Sequence, residues 1–427
     1  MNGQQWLAGT IFVAAFALIV SEKMHRLKAA MAGLSGVLLL RLVTQDDAFR
    51  FIDFNTIGLL VGMMILVGIV KETGLVQRTA ITAITLSKGH PWRLLVALTS
   101  LTALISALLD NVTTVLLIGP VALAVCETLD LDPEPFIFGE IFASNIGGTA
   151  TLIGDPPNIL IGSAAGLSFN EFLLHLGPAA LLALCVMYGL LYLLFRKDLV
   201  PSHRTEELLL RFQRGGKPLD KKGTTRILAV LAGVLAAFTL HGTLGFEAAT
   251  IAIAGATAGL LLCPVPVEKA LQEVDWVTIL FFSTLFMLVG TIEHLGIIEI
   301  AATHLVDTVG NRPELFAGLL LWCSGILSAL VDNVPYTAAM IPLVRDVASL
   351  SSMNAEPLWW ALALGACLGG NGTLVGASAN LVLAGIAEKG GIRLSFLRFL
   401  RIGSLVMGAT LLSSTLYLYL RYFILAS

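Results

Sequence analysis

Charge is what this chain has least of. Only 13% of its 427 residues are Asp, Glu, Lys or Arg, about half the share usual in a soluble globular protein. That scarcity excludes a water-facing surface over most of its length. Cysteine is also sparse: Cys126, Cys185, Cys263, Cys323 and Cys367 are scattered in apolar surroundings without CxxC spacing, so packing thiols are the default reading and a dithiol or zinc motif is excluded. The chain lacks HExxH, paired glutamates and any nucleophile motif. No enzyme activity and no cofactor are therefore expected. The net charge of −3 says little about partners, because the distribution of basic residues matters more than their sum in a membrane protein; no nucleic-acid partner is expected. What remains is 56% hydrophobic, with a mean hydropathy of +0.87. Successive apolar runs of roughly 17 to 25 residues suit a bilayer core of about 30 Å. The chain reads as an all-α polytopic membrane protein embedded in a lipid bilayer, and its first run, Trp6 to Val20, reads as a retained helix rather than a signal peptide.

One fixed offset of 222 residues superposes the two halves of the chain. SALLDNV from Ser106 matches SALVDNV from Ser328, and Pro120 falls on Pro342. GGTATLIGDPPN from Gly147 meets GGNGTLVGASAN from Gly369, while Asp53, Gly68 and Gly74 map to Asp275, Gly290 and Gly296. Since Gly fills only about 7% of positions in ordinary proteins, chance does not account for this register. Two copies of one unit are predicted, at 1–195 and 227–427, joined by a basic linker at 196–226. Each copy reads as about five spans including a broken helix, at 136–165 and 358–388, plus a re-entrant hairpin at 91–126 and 313–349. The second hairpin arm, Val112 to Cys126, covers only about 22 Å as a helix, short for a span.

Basic residues test this topology. With the N-terminus outside and each hairpin crossing zero times net, all but Arg41, Arg50, Arg312, Arg345 and Arg421 of the 26 basic residues lie on the cytoplasmic side. Five net crossings per copy is an odd number, so the copies are predicted to be inverted, which implies alternating access around a midplane site. Both termini then lie outside and the linker is cytoplasmic.

Acids and amides recur at the predicted hairpin tips, Asp110 and Asn111 in copy one, Asp332 and Asn333 in copy two. An ionisable group at membrane depth is costly and reads as functional by default; the plainer reading is that each Asp caps the arm that follows it. In copy one the broken helix carries Asp155 and two prolines, whereas in copy two Ala377 replaces the acid. Asp110, Asp332 and Asp155 are thus the predicted proton-coupling groups. Asn111, Thr113, Thr114, Asn145, Gly147, Gly148, Thr149, Thr151, Asn158, Asn333, Thr337, Gly369, Gly370, Asn371, Thr373, Ser378 and Asn380 are the predicted substrate-binding set. For the glycines and hydroxyls among them, close helix packing is the alternative. His294 reads as interfacial. No certain metal ligand is present, and Cys367 is a soft-ligand candidate for a thiophilic substrate. No basic residue lies in either pair of motifs, which argues against a clamp for a multiply charged anion.

LLDNVTTVLLIGP and SNIGGTATLIGDPPN closely resemble the arsenite permease and melanosomal P-protein branch of the ion transporter superfamily, which also contains sodium/proton antiporters and divalent-anion/sodium symporters. The resemblance spans nearly the whole chain and implies a scaffold and a moving transport domain in a bacterial inner membrane. In the dicarboxylate branch the tips look like Ser-Asn-Thr, whereas here they read Asp110, Asn111, Val112 and Asp332, Asn333, Val334. A second carboxylate would repel a dianion, and a protonatable acid suits proton coupling. The resemblance therefore implies a small inorganic substrate: export of arsenite or antimonite as a neutral hydroxide in exchange for protons. Sodium/proton antiport is the alternative, and sodium-coupled dicarboxylate symport a third reading. Homodimerisation and association with an ATPase subunit are left open.

Overall fold

The computed structural model describes residues 1–21, 23–88, 90–199, 221–310, 312–351 and 353–425. Most of the predicted linker, 200–220, lies outside the described residues. Every described element is helical. The first half contains α1 (Gly3–Val20), α2 (Arg26–Leu39), α3 (Gln45–Arg50), α4 (Phe54–Glu72), α5 (Leu75–Leu86), α6 (Pro91–Ser106), α7 (Asn111–Leu129), α8 (Glu134–Thr149), α9 (Pro156–Ala165) and α10 (Phe169–Phe195). The second contains α11 (Lys221–Leu244), α12 (Ala248–Leu262), α13 (Val267–Gln272), α14 (Trp276–His294), α15 (Ile297–Val309), α16 (Pro313–Leu330), α17 (Asn333–Ser351), α18 (Glu356–Gly369), α19 (Ser378–Lys389) and α20 (Phe396–Tyr419), which ends in a π turn, Leu420–Ile424. Among the described residues eight helices are long and apolar enough to cross a membrane.

The halves follow one plan because the same local signals recur. Asp53 caps α4, accepting from the Thr56 hydroxyl at 2.6 Å, and Asp275 caps α14 through Thr278 at 2.5 Å. Gly74 and Gly296, with φ of 71° and 72°, turn the chain into α5 and α15, a backbone region that favours glycine. Helices α3, α5, α13 and α15 were not predicted. Two are only six residues long, and the other two are short helices between spans. The arm α7 is longer than expected: Asp110 starts it early and it runs through Pro120 to Asp130, whose φ of 53° stops it. Its 19 residues reach about 28 Å.

Two helices form the centre. Pro135 to Thr149 of α8 and Pro357 to Gly369 of α18 are buried all round, as expected of helices without a polar face. Their apolar ends are walled by aromatics: Phe399 of α20 stacks on Phe138 with ring centroids 5.2 Å apart. Their other ends, where the glycines fall, lead into the breaks.

Candidate functional site

Both halves tie the end of α6 or α16 to α8 or α18 and the loop that follows it by the same two hydrogen bonds. Ser106 donates to the Ser144 carbonyl at 2.6 Å and Ser328 to that of Ala366 at 2.7 Å. Thr151 donates to the Ala107 carbonyl and Thr373 to that of Ala329, each at 2.5 Å. These threonines satisfy carbonyls freed where α6 and α16 end, as backbone at membrane depth requires. The breaks are clamped by asparagines. The Asn158 amide donates to the carbonyls of Gly148, Thr149 and Thr151 at 3.3, 3.1 and 2.8 Å. Asn380 does the same to Gly370 and Thr373 at 2.7 and 2.9 Å.

At the centre the two tips meet on one carboxylate. Asp155 sits at the N-cap of α9 but makes no side-chain cap bond, so its oxygens are free for other donors. Asn111 donates to its Oδ1 at 3.2 Å, and Asn333 donates to Oδ1 and Oδ2 at 3.2 and 3.3 Å. Asn145 extends the network, accepting from Asn111 at 3.3 Å and donating to Asn371 and Asn380 at 3.0 Å each. The Asn371 amide nitrogen is buried without a hydrogen-bond partner, which leaves a donor for an oxygen ligand.

A cavity of about 390 Å³ leads to this node. Its wall runs from exposed Lys71 and Gln272 to buried Asn111 and Asn333, and includes Asp110, Asp275, Pro156 and Ser378. A second recess, of about 330 Å³, is built from equivalent residues at the opposite ends of α4 and α14. Met64, Val67, Lys71, Leu116, Glu273, Asp275 and Val382 of the first correspond, at the offset of 222, to Phe286, Val289, Glu293, Ala338, Phe51, Asp53 and Leu160 of the second. Only the first reaches Asn111 and Asn333.

The tip acids have different neighbours. Asp110 caps α7, accepting from the Thr113 amide at 2.9 Å and its hydroxyl at 2.5 Å. Asp332 takes a left-handed φ of 59° where Asp110 has −70°, and accepts from Arg26 at 2.9 Å and Ser378 at 3.0 Å. Arg26 also donates to Ser378 at 2.7 Å and Thr278 at 3.2 Å, with its guanidinium 5.2 Å from the Phe281 ring centroid. Sequence reasoning counted Arg26 only as a topology signal. Its equivalent in copy two is Ala248, so a search for recurring residues passes over it.

The other predicted residues divide by role. Thr114, Thr149 and Thr337 donate to carbonyls one turn back in their own helices. Gly147 and Gly369 are close-approach positions: a Cβ would lie 2.2 Å from the Ala103 carbonyl oxygen and 2.5 Å from that of Gly325. Gly148 and Gly370 pack against the far side of each break, at Gly154 and Ala377. Cys367 is buried and donates to Asn158 at 3.4 Å. Among the described residues no group of three or more His, Cys, Asp or Glu side chains could hold a metal ion.

A family profile described as "Citrate transporter" matches residues 16–365, most of the chain. The chain belongs to this family of membrane transporters. An uncharacterized transporter of Mycobacterium tuberculosis is 41% identical, with 98% of this chain and 99% of the relative covered. The human P protein is 36% identical over 94% of this chain, which spans 58% of that protein. Among solved structures, the Alcanivorax borkumensis YdaH transporter shares the fold at a TM-score of 0.59 and 13% identity, covering 99% of each chain. Neisseria gonorrhoeae MtrF does so at 0.61 and 13%, covering 100% of this chain and 96% of the other. The family is thus one of multi-pass, non-enzymatic transporters that move small solutes across a bilayer. These matches overturn the expectation of arsenite or antimonite export and arsenical resistance: they lead to citrate-transporter and P-protein relatives instead. Cys367, the soft-ligand candidate, is buried and donates to Asn158 at 3.4 Å.

Proposed function

We propose that the protein is a secondary transporter that exchanges cations, protons against sodium, by alternating access, with Asp155 as the carboxylate that takes and releases the coupling cation. The charge balance of the cavity carries this reading. Its two cations are already paired, Arg26 with Asp332 at 2.9 Å and Lys71 with Glu273 at 2.7 Å. Asp110 and Asp275 of the wall, and Asp155 behind it, accept from hydroxyl, amide or backbone donors and form no ion pair among the described residues. A wall with unneutralised acids draws cations and repels anions.

The two recesses built from equivalent residues support inverted repeats, with the hairpin tips as the gate between them. In this reading the deep recess opens to the cytoplasm of a bacterial inner membrane and both termini lie outside, an orientation supported by the distribution of basic residues. Asp110 and Asp332 are then secondary proton-coupling groups at the mouth of the node, and Asn371 with Asn145 completes its oxygen- and nitrogen-lined floor. The competing reading is a carboxylate cargo that displaces Asp332 from Arg26, in keeping with the family description.

Proteoliposomes loaded with an acid interior separate the two. Under the proposed function, external sodium dissipates the pH gradient in the absence of any organic anion. Dissipation that requires citrate or another carboxylate, and is unaffected by sodium alone, sinks it in favour of the competing reading.

A further inference from the structure

Six residues into α8, about 9 Å along its axis, lies an acid that the exchange site does not use. Glu140 is 1% exposed. One carboxyl oxygen accepts from the Thr102 hydroxyl of α6, and the other, Oε1, has no hydrogen-bond partner. Among the described residues no Lys, Arg or His forms an ion pair with it. Tyr188 of α10 and Cys126 of α7 lie within electrostatic reach, and Tyr188 is held by Ser100 at 2.7 Å and Thr99 at 3.3 Å. Helices α18 and α19 also pack on α8; their titratable side chains are Glu356 and Cys367, and Glu388 and Lys389, and Phe399 of α20 covers the flanking Phe138 and Phe142.

A buried carboxylate without a cation is expensive, and such a group takes a proton rather than remain charged. The Thr102 hydroxyl gives Glu140 one polar partner in an otherwise apolar wall, while the orphaned oxygen is where a proton can sit. The equivalent position in copy two is Leu362, also fully buried. A leucine at the matching site shows that packing of this helix does not itself demand a carboxyl. We propose that Glu140 is a second proton-binding site of the first repeat, separate from Asp155, which binds and releases one proton on its carboxylate with no other bond changed. The assignment stands on this geometry and does not depend on which cargo the central site takes.

The experiment is infrared spectroscopy of the full-length protein in lipid, carrying glutamate labelled with carbon-13 and titrated over the pH range it tolerates. The expected result is a protonated-carboxyl band that shifts with the glutamate label, disappears reversibly at high pH, is lost in Glu140→Gln and persists in Asp155→Asn. Glu140→Leu, which copies the second repeat, should fold and bind one proton fewer across the titration. Thr102→Val should move the band without removing it. Were wild type to lack a label-sensitive band that Glu140→Gln removes, the carboxyl would be ionised and the proposal overturned. A band that never titrates would overturn it too, leaving Glu140 a permanently neutral packing group. Because the label reports glutamate alone, failure here is distinguishable from failure of Asp155 to couple transport.

Discussion

Asn111 and Asn333 occupy the same position in the two halves, 222 residues apart, and each donates to Oδ1 of Asp155 at 3.2 Å. One acceptor therefore reads the first residues of α7 and α17 at once. Replacing either amide removes a donor to a buried carboxylate, a loss of about 1–3 kcal/mol. Because the two share their acceptor, Asn111→Ala and Asn333→Ala should be non-additive by at least about 0.5 kcal/mol. Thermal unfolding of the single and double variants in detergent measures this. Strict additivity would mean that the tips do not meet on one group.

Asp155→Asn keeps the size of the side chain and one acceptor oxygen for Asn111 and Asn333, but turns the other acceptor into a donor and removes the charge. Sodium-dependent dissipation of a pH gradient should fall to the level of empty vesicles, while the folded yield stays near that of wild type. Asn145→Ala should reduce exchange less, since Asn145 touches the acid only through Asn111. Equal losses in the two variants would show that network integrity, rather than the carboxylate, is what transport needs.

The contrast between these residues shows how far the sequence could be read. The repeat was legible because Asp53 and Asp275, or Gly74 and Gly296, recur for local reasons of capping and turning. Which side chains converge was not: all three acids were predicted coupling groups, but Asp110 bonds within its own helix start and Asp332 turns left-handed toward Arg26, so of the acids only Asp155 receives the asparagines of both halves. Identical tips diverge because their surroundings differ, and a comparison of motifs carries no surroundings. Arg26 and Glu140 were invisible for a related reason, since their equivalents are Ala248 and Leu362 and neither stands in a recurring motif.

The glycines give a test of packing without chemistry. In Gly147→Ala and Gly369→Ala the new carbon would press on backbone that cannot move aside, 2.2 and 2.5 Å from carbonyl oxygens. Overpacking of this kind costs about 1–3 kcal/mol. Gly189→Ala and Gly408→Ala meet nothing within 4 Å and should be neutral or slightly stabilising, since alanine loses less backbone freedom than glycine in a helix. Thermal stability in detergent is the measurement. If the first pair proved as silent as the second, α6 and α16 would not lie so close to the broken helices.

Arg26 joins four elements through one guanidinium: α2, on which it lies, Thr278 at the start of α14, Asp332 just before α17, and Ser378 of α19. A planar fork can serve these partners together, whereas the point charge of lysine cannot. Arg26→Lys should therefore weaken the contact nearly as much as Arg26→Ala, although it keeps the charge. With the contact gone, the second tip is no longer fastened to α2, and the balance between the two recesses should shift away from the one that now reaches Asn111. Accessibility of a cysteine placed at Leu116, in the deep recess, to a membrane-impermeant thiol reagent reads that balance. A fall of about tenfold in labelling rate would correspond to a shift of roughly 1.4 kcal/mol between the two states. Unchanged labelling in both variants would make the Arg26–Asp332 pair a bystander, and would return the gating role to the tip amides alone.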